Sequence, residues 1–300
     1  MASDSSLRRQ PSSSTELWGA LPILGAALPS HRALRVWQRN RDVYFQLWRV
    51  NLFTPLLEPI ITILVMGLGL GTYVELSGDQ DYIQFVAPGV LAVFPIFAGM
   101  MECLWGAHLR LIQHGTYDAI LATPARPEDI ATGELLWAST HSTINAALIL
   151  VIMAVFTPAY DLIQSPLAIF ALPVVFLISL VLSNLALAFT STTTAMSQLM
   201  YFFTLVIIPM FWFSGVFFPL EQLPDWARTI AWTMPLTHAV DIIRALVEGN
   251  PGLDELGALV WLLIVAGITF LLPLRLMRRR LLVAKAMVHA PPVLVLDEAT

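Results

Sequence analysis

Charge is scarce in this sequence. Asp, Glu, Lys and Arg supply 12% of its 300 residues and hydrophobic residues 57%, whereas a soluble domain carries roughly a quarter charged and about half apolar residues. The imbalance argues against a water-soluble globular fold. Cysteine occurs once, at Cys103 inside an apolar run, so neither an intrachain disulfide nor a thiolate metal cluster can be assembled. Lysine also occurs once, at Lys285, with no glycine-rich turn before it, and a phosphate-cradling loop needs both. His108, His114 and His141 have no carboxylate at H-E-x-x-H spacing. The polar run from Ser191 to Thr194 has no base beside it to activate a hydroxyl. No catalytic residue, metal or bound cofactor is therefore expected, and no nucleic-acid partner. Residues 1–30 are rich in Ser and Pro and lack a signal-peptide apolar core; they read as a disordered cytoplasmic tail.

What is abundant is the long apolar run. A hydrocarbon core about 30 Å thick needs roughly 20 residues of helix, and six segments reach that length: 50–71, 85–105, 135–157, 167–189, 199–218 and 258–276. The expected fold is all-α, a polytopic membrane protein with six transmembrane helices. The third segment carries His141, Ser142, Thr143 and Asn145, and the fifth holds Pro209, where a kink is expected. Seven arginines precede the first segment, and five basic residues, Arg275, Arg278, Arg279, Arg280 and Lys285, lie at or beyond the end of the sixth. Arg110 and Arg126 lie between the second and third, whereas the loops with Glu75, Asp79, Asp81 and Asp161 have no basic residue. The positive-inside rule then puts both termini in the cytoplasm and the acidic loops outside.

Two stretches are amphipathic. In 31–49, Leu34, Trp37, Tyr44, Leu47 and Trp48 can share one face while Arg32, Arg35, Arg39 and Arg41 stay wet, as in an N-terminal interfacial helix. The loop 219–257 is too apolar for a solvated linker and too interrupted for a span, and reads as a re-entrant extracellular helical pair. Glu58 and Glu102 are acidic residues well inside predicted spans, a costly placement that marks a translocation path or a buried pair. Gly67, Gly69 and Gly71 would let the first span approach a neighbour closely.

The segment YDAILATPARPEDIATGELLW (117–137) is similar to the inner loop of ABC-2 type permeases, and FSGVFFPLEQLPDW (213–226) with AWTMPLTHAVDIIRA (231–245) is similar to their late extracellular region. With the six-span layout, the resemblance covers residues 31–282, and GELLW (133–137) leans toward the branch that includes the nodulation-factor export permease. It implies a half-transporter in a bacterial inner membrane, paired as a homodimer and embedded in lipid. ATP and Mg would be held by a separate ATP-binding subunit. On that resemblance, Tyr117, Asp118, Ile120 and Leu121 belong to the element that couples to the ATPase. Ile120 and Leu121 would seat in it, Asp118, Arg126, Glu128 and Asp129 would form a polar rim, and Trp37 and Arg41 would lie on a second contact. Glu58, Glu102 and Asn145 would lie along the path.

The end of the chain, RRRLLVAKAMVHAPPVLVLDEAT (278–300), resembles the helix and strand around the Walker B motif of cassette ATPases, with Asp297 and Glu298 at the carboxylate positions. Without a P-loop or the adjacent glycines of the cassette signature, 283–300 reads as a non-catalytic fragment joined by gene fusion or assembly. The expected function is the permease subunit of an ATP-driven exporter for a lipid-linked glycan, lipo-oligosaccharide or hydrophobic drug. The alternatives are a proton-coupled transporter using Glu58 and Glu102, and a membrane enzyme acting on lipid through His141 or Asp241.

Overall fold

The computed structural model describes residues 29–71, 73 and 81–289. Among them every regular element is helical and no strand occurs. Most of the N-terminal tail, Glu75, Asp79, Asp297 and Glu298 lie outside the described residues.

Helix α1 (Ala33–Gln46) leads through Leu47 into α2 (Trp48–Thr62), whose apolar continuation widens to π geometry over Ile63–Leu70. Helix α3 (Tyr82–Met101) opens at Asp81, whose backbone N–H donates to the Gln84 side chain at 3.2 Å. It passes through π turns at Glu102–Gly106 and Leu109–Gln113. Gly115, in the left-handed region at φ 57, reverses the chain into the short α4 (Thr116–Leu121). Helix α5 (Pro127–Tyr160) starts on proline, whose missing N–H costs nothing at a first helical position. It stops at Asp161, also left-handed.

A 3₁₀ turn at Pro166–Phe170 feeds α6 (Ala171–Thr192). Then come α7 (Met196–Phe202), a π turn at Phe203–Ile207, and α8 (Ile208–Phe213) with Pro209 in its first turn. The expected break at Pro209 thus takes the form of a wide turn just before it. Helices α9 (Asp225–Thr233) and α10 (Pro235–Glu248) are bent by 87° at Met234, the geometry of a broken or re-entrant pair. Helix α11 (Leu253–His289) closes the fold and runs unbroken through residues 278–282.

Among the described residues six helices are long and apolar enough to cross a membrane, and each overlaps one of the six expected segments. The helices outrun the apolar windows at their ends. α5 begins eight residues before the predicted 135, because its polar first turns are satisfied: Glu128 and Glu134 pair with Arg278 and Arg110, and Asp129 accepts the backbone N–H of Arg126 at the helix's own start. At 34 residues it is about 51 Å long, well beyond the hydrocarbon thickness. The outward faces of α2, α7 and α11 expose Leu57, Ile61, Val65, Leu205, Ile264 and Ile268, surfaces that lipid or another apolar face must cover. The chain is a polytopic all-α membrane protein.

The most buried span is α3, packed among α5, α6 and α10. Contact between helices in lipid relies on small residues and interhelical hydrogen bonds. A Cβ at Gly99 would overlap the Ser142 and Ser179 hydroxyls and the Ala138 carbonyl, and those two hydroxyls bond each other at 2.7 Å. Asn184 on α6 donates to Thr269 on α11 at 3.1 Å. Gly67 meets Ile83 closely, as expected for a packing glycine. A Cβ at Gly69 would meet nothing within 4 Å.

The apolar residues of α1 divide differently from expectation. Val36 and Tyr44 are buried with Ala33 and Asn40 against α5, while Leu34, Leu47 and Trp48 are exposed. A helix wedged between bundle and bilayer has two apolar neighbours, and a single hydrophobic face cannot say which residues meet which.

Candidate functional site

Two concavities and the polar bridge between them define the site. The first lies at the basic end of the bundle, between α1 and α4. A groove of about 590 Å³ is lined by His31, Arg32, Arg35 and Arg39 on one wall and by Thr116, Ile120 and Pro124 on the other. Arg32 donates to the Pro124 carbonyl and so ties the two walls together. Asp118 and Arg126 are exposed beside it. Of the apolar pair expected to reach a partner, Ile120 lines the groove and Leu121 does not, and both are half-buried against their own subunit's core.

Other expected partner contacts turn inward. Glu128 and Asp129 are buried rather than forming a rim. Glu128 pairs with Arg278 of α11 at 2.9 Å, and Asp129 accepts the backbone N–H groups of Ser30 at 2.6 Å and Arg126 at 3.0 Å. Carboxylates in the first turn of a helix are held there by its unsatisfied N–H groups and positive end, and that local demand wins over exposure. Tyr117 is buried too, against Arg110 and Glu134, and burial pushes its phenol well above the ordinary value, with Glu134 adding to the effect. Trp37 donates its indole N–H to Thr140 of α5 at 3.1 Å. Arg41 covers the Trp37 ring and pairs with Asp42.

The second concavity is an aromatic cavity of about 650 Å³ among α2, α3, α5 and the α7–α8 span. Phe97, Phe203, Phe211 and Trp212 form its walls, with Phe97 and Phe211 centroids 5.6 Å apart. Glu58, Glu102 and His141 bring polar atoms to it. The structure thus places Glu58 and Glu102 in one cavity. Asn145 is buried one turn further along α5 and does not line this cavity.

Between groove and cavity runs a chain of side-chain bonds. Asn40 of α1 donates to Glu134 Oε2 at 3.0 Å. Arg110 bonds the same oxygen at 2.6 Å and reaches Glu102 Oε1 at 2.7 Å with its other nitrogen. The Glu134 side chain is fully buried and that of Arg110 is 13% exposed, so each charge depends on the other to offset its desolvation. The π turns after Met101 put Glu102 and Arg110 on one side of the span, where a carboxylate can take the guanidinium end-on. At Gly133 a Cβ would collide with Val36 and the Ala33 carbonyl, so glycine there lets α1 lie close enough for Asn40 to reach Glu134.

Asn40, Arg110 and Glu134 were not singled out from sequence. Arg110 passes for one more positive-inside residue, and Glu134 stands just ahead of an apolar run. A charged residue touching each end of a span was the available signal.

A third cavity, of about 690 Å³, lies at the opposite end and includes Glu221, His238, Asp241 and Arg244. His141 and Asp241, either of which the lipid-enzyme alternative would use, line different cavities. Among the described residues no group of three or more His, Cys, Asp or Glu could hold a metal.

A bundle of six spans, a broken helical pair before the last one and an amphipathic helix at the basic end is the layout of a transport permease. Residues 33–247 match the ABC-2 type transporter family, and the chain belongs to that family. It is 34% identical over 249 residues to nodulation protein J of Rhizobium leguminosarum bv. trifolii, covering 83% of this chain and 94% of that protein. The corresponding protein of Rhizobium meliloti (strain 1021) is 33% identical over 263 residues, 86% and 97% of the two chains. A more distant similarity, 26% over 188 residues, joins it to the probable multidrug ABC transporter permease YbhR of Escherichia coli (strain K12), across 62% of this chain and 50% of that one.

Proposed function

We propose that this chain is the membrane subunit of an ATP-driven exporter. Two copies pair around a path in a bacterial inner membrane with their basic ends and termini in the cytoplasm. Each copy receives a separate cassette ATPase in the groove between α1 and α4. ATP and Mg belong to that partner, and the permease supplies no catalytic group. The cargo class is an amphiphile such as a lipid-linked glycan, a lipo-oligosaccharide or a hydrophobic drug. The nodulation and multidrug names of the relatives support that range.

One observation carries the reading: the continuous side-chain chain Asn40, Glu134, Arg110, Glu102. It joins the groove wall to the wall of the aromatic cavity, so a shift of α1 or α4 driven by nucleotide in the partner reaches the cavity through fixed contacts. Such coupling requires two packings whose balance the partner changes. Pairing is supported by Glu58, which is exposed midway along the first span, Trp48–Gly69; a carboxylate at that depth is costly in lipid and favours a face turned to a wet path or a second copy. The test is co-expression with a cassette ATPase from the same genomic neighbourhood, followed by co-purification in detergent and ATPase assay in proteoliposomes. Co-purification in equal amounts and hydrolysis that depends on the permease support the assignment; transport by the chain alone under a pH gradient would refute it in favour of proton coupling.

A further inference from the structure

We infer that the aromatic cavity is a binding site for a lipophilic organic cation, an apolar body carrying a quaternary or protonated nitrogen, with Glu58 and Glu102 as its counter-charges. The inference rests on the transport reading above and narrows its cargo.

The formal charge around the cavity does not balance. Among the described residues, Glu58 and Glu102 in the lining and Glu134 behind it stand against one guanidinium, Arg110, which Glu102 and Glu134 share. Glu58 makes no hydrogen bond or ion pair among the described residues. It is the eleventh residue of α2, about 15 Å along a helix that crosses a core about 30 Å thick. A carboxylate halfway across a membrane without a protein partner is an expensive placement. A cation lying between Glu58 and Glu102 would offset it.

The remaining walls suit the same ligand. Phe94, Phe97, Phe203, Phe211 and Trp212 present ring faces and edges around the space. Aromatic faces attract cations, with a strength that rises as water is excluded. Both ring nitrogens of His141 are without a partner, so its imidazole is available to a ligand. It sits between the Tyr44 ring at 4.8 Å and the Trp137 ring at 5.8 Å. Among the described residues no arginine or lysine lines the cavity, and Arg110 behind it is already shared by Glu102 and Glu134, so the lining favours a cationic over an anionic guest. At about 650 Å³ the space is in the range of small-molecule sites.

Two probes of nearly equal shape and opposite charge test this: tetraphenylphosphonium and tetraphenylborate, bound by equilibrium dialysis to the full chain in detergent micelles. The phosphonium should bind at least about tenfold more tightly than the borate. Glu58→Gln should weaken the phosphonium by about tenfold while leaving the borate unchanged. Glu58 is exposed, so this variant keeps the fold, and Trp212→Leu supplies a second, uncharged perturbation that should weaken the phosphonium several-fold.

Equal binding of the two ions, or an unaltered phosphonium affinity in Glu58→Gln, would overturn the inference and leave an unselective apolar cleft. The same preparations are assayed for capture of the cassette ATPase. Capture without cation selectivity rejects only the cargo assignment, whereas loss of capture by the wild type rejects the transport reading.

Discussion

Replacing Arg110 with methionine keeps much of the side-chain bulk and removes the cation that Glu102 and Glu134 share. The Arg110–Glu134 contact is 2.6 Å between nitrogen and oxygen, with the Glu134 side chain fully buried. Charge centres about 4 Å apart attract by about 4 kcal/mol at an effective dielectric constant near 20. Removal also strands Glu134 on the Asn40 amide alone. A buried pair broken from one side loses about 3–5 kcal/mol, and that is the expected destabilisation, measured by reversible unfolding in mixed micelles. Glu102 contributes the smaller share, because its side chain is 25% exposed beside the cavity and is screened there.

The double variant Arg110→Met, Glu134→Leu removes both buried charges and should return to within about 1 kcal/mol of the wild type. Stimulation of the partner ATPase should stay lost in both, since the bridge from Asn40 to Glu102 is cut in both. A single variant within about 1 kcal/mol of the wild type, or a double variant no more stable than the single, would refute the assignment of Glu134 as a desolvated ion that needs Arg110.

Ile120→Asp puts a charge among the residues lining the groove and should cut ATPase capture at least about tenfold; Leu121→Asp, which does not line it, should leave capture by the folded protein unchanged, while both variants lower the thermal midpoint because both side chains pack on the subunit's own core. Equal capture by the two would mean that the groove is not the seat. Gly133→Val should cost about 1–3 kcal/mol by forcing α1 off α5, read as a lower unfolding midpoint together with weaker ATPase stimulation. Tyr117 has a folded pKa raised above its ordinary 10.0, so its contribution is complete below that pH and is lost as pH rises through the folded value. Ultraviolet titration of the folded chain should therefore show the same alkaline absorbance rise near pH 10 for the wild type and Tyr117→Phe, and a smaller rise for the variant would mean that Tyr117 titrates as an exposed phenol.

Much of the fold could be read along the chain because a bilayer imposes a simple length rule on apolar residues. The runs around Val90, Ile149, Val181 and Val265 have no soluble alternative at that length, and the basic flanks and acidic loops mark opposite ends. The broken pair was legible from Pro235 and from apolar residues too interrupted to span. The site was legible only in pieces. Glu58 and Glu102 were conspicuous as charges in apolar runs, and Ile120 stood in a motif. Glu128 and Asp129 looked like surface carboxylates because sequence position cannot report that Arg278, 150 residues away, lies beside one of them.

By itself the sequence determined six membrane helices, the ends on which charge gathers, and the absence of a P-loop, since each follows from residue type and spacing along one strand of chain. Tertiary packing alone decided that Asn40, Glu134, Arg110 and Glu102 form one bridge, that Glu58 and His141 share a cavity with Glu102, and that Asn145 does not. Those relations depend on how far helices rotate and how closely glycines let them approach. A periodic apolar pattern leaves both free when lipid and protein are equally apolar neighbours.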